Sequence, residues 1–112
     1  DAGLVVLCNP WNPTGRCLDR GELEKLARMV DQYGARVFED AIHAPLIFEN
    51  ATYIPYASLN EATTSHTITA VAASKGWNIP GLKCAQLIFN NAADWEHFQP
   101  YAHPVSEPTS TT

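Results

Sequence analysis

Lys75 is the residue best placed for covalent chemistry. The run His66-Thr67-Ile68-Thr69-Ala70-Val71-Ala72-Ala73-Ser74 reads as a largely apolar strand, Lys75 follows at once, and Gly76-Trp77-Asn78-Ile79-Pro80-Gly81 turns the chain. An ammonium where a buried strand ends loses hydration, which favours the neutral amine, a nucleophile toward carbonyls. The same lysine could instead extend its charge to solvent along its aliphatic stem. Two further groups need weighing beside it. Asn12 lies in Asn9-Pro10-Trp11-Asn12-Pro13-Thr14-Gly15, and Asp40 with His43 lies in Asp40-Ala41-Ile42-His43. Asp40 either caps the turn that follows or serves a site, and His43 is either a hydrogen-bonded structural histidine or a site residue.

Three strands must position these groups. Leu4-Val5-Val6-Leu7-Cys8 is a short continuous apolar run, read as a strand buried on both faces of a parallel sheet. Two Asn-Pro pairs and Gly15 then force a loop at its carboxyl end. A helix starts at Asp19, where Glu22 three residues on completes a capping-box pattern, and Leu23, Leu26, Ala27 and Val30 make one apolar face. Gly34 suits the helix end. Ala35 to Asp40 is the second strand, so a β–loop–α–β unit with a right-handed crossover is expected. Thr67 to Ala72 is the third strand, and Cys84 to Phe89 a fourth. Residues 50 to 65 read as a polar surface connection with a packing patch at Tyr53-Ile54-Pro55-Tyr56. Ala92 to Phe98 reads as a helix, and the chain from Gln99 is rich in Pro, Ser and Thr without a core of its own. Asn12, Asp40 and Lys75 thus fall at carboxyl ends of strands, the edge where open α/β sheets bind ligands.

The bulk numbers narrow the function classes. A chain of 112 residues, 46% hydrophobic, fits one domain-sized body, and 17% charged residues is low for a free-standing small domain. A net charge of −5 without a basic cluster argues against nucleic acid and anionic membrane as partners. No apolar run reaches membrane-spanning length and no signal peptide opens the chain. Asp1, without a methionine, suggests a chain that begins mid-protein. Cys8, Cys17 and Cys84 are odd in number and lack CxxC spacing, and His43, His66, His97 and His103 add no ligand pattern. The expectation is free thiols in a reducing cytoplasm and no metal site.

The three loops together resemble the cofactor site of the pyridoxal-phosphate-dependent class I/II aminotransferase-like enzymes of fold type I. Residues 9–15 are similar to that family's NPxNPTG signature, Asp40-Ala41-Ile42-His43 to its D-x-x-Y/H, and Ser74 to Leu82 to its S-K-x-[FW]-N-[IL]-[PA]-G-L. The separations, 28 residues from Asn12 to Asp40 and 35 from Asp40 to Lys75, also suit it. Within the family, Ile42-His43-Ala44-Pro45-Leu46 and Trp77 to Ala85 look closest to the C–S lyase branch, the cystathionine β-lyase (MalY/PatB) type.

The resemblance implies an α/β fold: the central part of the large domain, a mostly parallel sheet with flanking helices. Residues 1–98 would belong to the cofactor-binding domain and 99–112 to a connecting segment. Lys75 is implied to be the catalytic amine that condenses with the aldehyde of pyridoxal 5'-phosphate, because only a primary amine can. Asp40 would hold the proton on the pyridine nitrogen, and Asn12 and His43 would donate to the ring's phenolate oxygen. Ser74 would donate to the phosphate, and Lys83 would stand where many relatives carry a phosphate-binding Arg, with charge but no bidentate fork. The implied reaction is β-elimination from a small sulfur-containing amino acid to a thiol, pyruvate and ammonia. The implied assembly is a cytoplasmic homodimer.

Two departures stand out: Ala41 replaces the Glu common after this Asp, and Ala72 replaces a Ser three before the lysine. The upstream phosphate loop and the downstream carboxylate-binding Arg of the family are not among these residues, so the expectation is an active parent protein and an inactive isolated segment. The alternatives are an aminotransferase with the same cofactor residues and a non-catalytic regulatory or partner-binding fragment. A dinucleotide-binding dehydrogenase fits poorly, since no GxGxxG follows the first strand.

Overall fold

The computed structural model describes residues 3–102; the tail beyond them, His103 included, lies outside the described residues. Four strands form one sheet in sequence order: β1 (Leu4–Cys8), β2 (Arg36–Asp40), β3 (Thr67–Ala72) and β4 (Ala85–Phe89). The first three run parallel and β4 is antiparallel to β3. This is the expected mostly parallel α/β sheet.

Helix α1 (Arg20–Tyr33) links β1 to β2 and covers one face. The Asp19 side chain accepts from Glu22 N at 2.9 Å, and Glu22 Oε2 accepts from Asp19 N at 3.0 Å. This reciprocal cap satisfies donors that a helix start would otherwise leave open. Gly34 ends the helix in the left-handed region, φ +59°, where a side chain would be strained. The spacing of Leu23, Ala27 and Val30 buries all three against Leu7, Val37 and Tyr56. Fully covering a Leu such as Leu23 is worth about 2 kcal/mol, so this face is the main cohesive one.

The other face departs from expectation. Paired residues of adjacent strands share a face, and Leu4, Val6, Phe38, Ile68, Leu87 and Phe89 lie on the side away from α1. Leu4 and Val6 are 58% and 67% exposed, so β1 is buried on one face only. An apolar run marks a strand whose faces both suit cover; it does not say that both are covered by these residues. Helix α4 (Ala92–Phe98) folds over one corner, through an Arg36–Asp94 ion pair and the Phe89, Trp95 and Phe98 rings.

The connection read as irregular surface carries a 3-10 turn (Tyr56–Ser58) and a short helix, α2 (Glu61–His66). Tyr56 is fully buried and Ile54 packs on the core, as the apolar patch predicted. Gln99–Tyr101 forms a last 3-10 turn.

Candidate active site

Three turns meet along the carboxyl ends of the parallel strands. The Asn9 amide donates to the Asp40 carbonyl at 3.1 Å, and the Ala41 amide to the Ala70 carbonyl at 2.9 Å. The loop after β1, the turn after β2 and the end of β3 are therefore stitched into one edge. Since β4 is antiparallel, its first residue Ala85 pairs with Ala72, and Lys83 stands at this edge too.

The loop after β1 is held from inside. Asn9 is fully buried, and its Oδ1 accepts from Leu18 N at 2.9 Å, closing the loop on the start of α1. Gly15 N donates to the Trp11 carbonyl at 2.7 Å in the tight turn that carries Asn12. Gly15 has φ +71°, which explains a glycine there. Asn12 is exposed at the edge. The backbone around it is ordered by short-range hydrogen bonds, which leaves its amide free to act outward.

Asp40 ends β2 half-buried, opposite Cys8 on β1. Its Oδ1 accepts from Ile42 N at 3.1 Å. The capping and the site readings of Asp40 are thus compatible: one oxygen orders the turn, and among the described residues no side chain takes the other. His43 precedes a 3-10 turn (Ala44–Leu46), and its Nδ1 is buried without a hydrogen-bond partner among the described residues. A buried ring nitrogen without a partner is costly, so it marks a place where a polar group belongs.

For Lys75 the sequence leaves a desolvated and a solvent-reaching reading open. The residue lies on a one-turn helix, α3 (Ala73–Gly76), immediately after β3, and it is exposed rather than desolvated. Ser74 is half-buried beside it, its carbonyl accepting from Ile79 N at 3.1 Å. Lys83 is exposed in the left-handed region, φ 47°. Asp40, His43, Ser74 and Lys75 are thus carried by turns in contact, while Asn12 and Lys83 stand farther along the same edge.

Glu39 escaped the sequence reading. Alternation along β2 turns it toward α1, where it is fully buried. Its Oε1 accepts from Tyr53 Oη at 3.0 Å and Tyr56 N at 3.1 Å, and its Oε2 from Thr69 Oγ1 at 3.2 Å. Burial pushes its carboxyl above the ordinary 4.5, against the pull of these donors. Burial and the nearby Glu39 charge push Tyr56 up to about 12. The available signal was Glu39's parity with Val37, an inward position.

The donor set suits a phosphorylated aromatic aldehyde. It comprises a primary amine, a carboxylate with an uncommitted oxygen, an unpartnered ring nitrogen, an outward amide, a hydroxyl and a second amine. A cleft of about 340 Å³ between the Pro45 turn and Trp77 adjoins it, walled by Ala41, Ala44, Val71 and Ala73. No group of three or more His, Cys, Asp or Glu side chains that could hold a metal occurs among the described residues, and no described helix is long and apolar enough to cross a membrane. Cys8, Cys17 and Cys84 are free thiols.

Known proteins match the sequence and the fold. Residues 1–111 match the family described as Aminotransferase class I and II. The sequence is 42% identical to cystathionine beta-lyase of Corynebacterium glutamicum over 93 residues, 83% of this chain and 25% of that protein. It is 38% identical to cystathionine beta-lyase PatB of Bacillus subtilis (strain 168), over 76% of this chain and 22% of the relative. The fold superposes on cystalysin from Treponema denticola, whose crystal structure contains a pyridoxal 5'-phosphate cofactor. The TM-score is 0.85 at 31% identity, over 90% of this chain and 26% of that one. The chain thus spans about a quarter of the length of these relatives.

Proposed function

The chain belongs to the class I and II aminotransferase family, and from that premise we propose that it is the central part of the cofactor-binding domain of a pyridoxal-phosphate-dependent C–S β-lyase. Residues 1–98 belong to that domain and 99–112 lead out of it. The observation that carries the reading is the placement of Asp40, His43 and Lys75 on adjoining turns at one sheet edge. Similarity to two cystathionine beta-lyases supports the choice of reaction.

When bound, pyridoxal phosphate supplies an electron-withdrawing ring that stabilises negative charge at the substrate Cα. This chain's residues hold and steer it. Lys75 would hold the cofactor at its aldehyde through a primary amine, with loss of water, and the same amine, once released by the substrate, would take the substrate's Cα proton. The free oxygen of Asp40 holds a proton on the ring nitrogen, the carboxylate's charge favouring the protonated ring. His43 Nδ1 and the Asn12 amide donate to the ring's oxygen, which gives the buried nitrogen the partner it lacks. Ser74 Oγ and Lys83 Nζ serve the phosphate. A small sulfur amino acid with water then gives a thiol, pyruvate and ammonia. A reducing cytoplasm fits the free thiols, and the homodimer is carried over from the family resemblance alone.

The test is pyruvate release from cystathionine by the full-length protein, against amino transfer to added keto acids. Pyruvate formed without a keto acid supports the lyase. Turnover only with a keto acid makes the protein an aminotransferase, and no turnover of either kind leaves a binding module.

A further inference from the structure

Gly76 packs against Pro45 more closely than any side chain would allow. A methyl group at position 76 would lie 2.7 Å from Pro45 Cβ and 3.1 Å from Pro45 Cγ, well inside the normal carbon–carbon separation of about 3.5–4.0 Å. The proline ring is rigid and cannot step aside as the tip of a long side chain could. Gly76 does not have a positive φ, so the glycine is there for space and not for backbone freedom. Pro45 and Gly76 also lie outside the buried core formed by Leu7, Leu23, Val37 and their neighbours.

The two residues belong to two internally fixed turns. Ala44 N donates to the Ala41 carbonyl and Leu46 N to the His43 carbonyl, both at 2.9 Å. Trp77 N donates to the Ala73 carbonyl at 3.0 Å and Ile79 N to the Ser74 carbonyl at 3.1 Å. The first turn carries His43 and follows Asp40; the second carries Ser74 and Lys75. Their contact at Gly76 and Pro45 sets how near the bodies come. We infer that Gly76 and Pro45 are positioning residues whose close contact sets the distance between the Lys75 amine and the Asp40–His43 group. This rests on the cofactor reading of the same site. It explains why the position after the lysine is closed to side chains here.

The test uses the full-length protein with added pyridoxal phosphate, followed by the visible absorption band, the pH at which it titrates, and the apparent Kd for the cofactor. Gly76→Ala should raise the apparent Kd for the cofactor and slow turnover by about a hundredfold, the scale of an ångström's misplacement of a reacting group. It should also shift the pH midpoint of the band, a readout that simple loss of stability leaves in place. The double variant Gly76→Ala with Pro45→Gly removes both crowding atoms and should recover most of the affinity and the original midpoint. The double variant with Pro45→Ala keeps the Cβ at 2.7 Å and should stay defective. Should Gly76→Ala be recovered unfolded, the two double variants decide: a band with Pro45→Gly and none with Pro45→Ala supports the contact. An unchanged Gly76→Ala, or equal behaviour of the two double variants, overturns it while the cofactor reading stands. A wild-type protein without a band overturns both.

Discussion

Glu39 and Asp40 are adjacent carboxylates with opposite circumstances, and they represent the two faces of the sheet. Glu39 points toward α1, is fully buried, and is held by donors from Tyr53, Tyr56 and Thr69. Asp40 points to the other face, is half-buried, and gives one oxygen to Ile42 N. The first is spent entirely inside the fold: it ties the 47–60 connection and β3 to β2. The second has one oxygen that no side chain takes among the described residues. A one-residue step along a strand thus separates a carboxylate bound up inside the fold from one that, in the proposed function, serves the cofactor.

Breaking each carboxylate should give opposite failures in the full-length protein. Glu39→Ala leaves a buried amide and two hydroxyls without their acceptor, and should cost about 3 kcal/mol or more of stability in urea unfolding. Asp40→Asn should leave that unfolding curve nearly unchanged while turnover falls about 10²–10³-fold, the scale for removing a charge aimed at a reacting centre. Equal loss of stability in the two variants would erase the distinction.

Glu39→Gln sharpens the comparison through pH. In the fold the Glu39 carboxyl titrates above its ordinary 4.5, chiefly because burial penalises its charge. Between the unfolded and folded values the folded state therefore binds more protons. Its stabilising contribution is complete below the unfolded value and is lost as pH rises through the folded one. Glu39→Gln cannot titrate, so its stability relative to wild type should climb with pH over that interval and be flat on either side. Thermal unfolding at a series of pH values reads this directly, and a constant difference would contradict it.

A smaller effect is expected of Tyr53→Phe. It removes one of Glu39's donors and keeps the ring, so it should cost about 1 kcal/mol in the same urea experiment with turnover unchanged.

What the sequence conveyed follows the range of the interactions. The β–loop–α–β unit, the Asp19–Glu22 cap and the one-sided face of α1 depend on residues a few positions apart, and they were legible. So was the shared edge of Asn12, Asp40 and Lys75, because strand ends can be read from apolar runs. Helix α2 was not, since Glu61-Ala62-Thr63-Thr64-Ser65-His66 has no apolar period. It is held by Asn60 and Thr63 capping each other, at 2.9 and 3.0 Å. Glu39 was hidden because its partners lie 14, 17 and 30 residues away. The Gly76–Pro45 contact likewise joins distant turns. The strand-end argument fixed the place of Lys75 in the chain and left its exposure open, because local sequence does not tell what lies over a side chain.

The most direct test of the account is the visible absorption spectrum of the full-length protein with added pyridoxal phosphate, wild type against Lys75→Ala. The placement of Lys75 beside Asp40 and His43 predicts a pH-dependent visible band in the wild type that is missing in the variant. A wild type without the band, or a variant that keeps it, would contradict the claim that this edge holds the cofactor through Lys75.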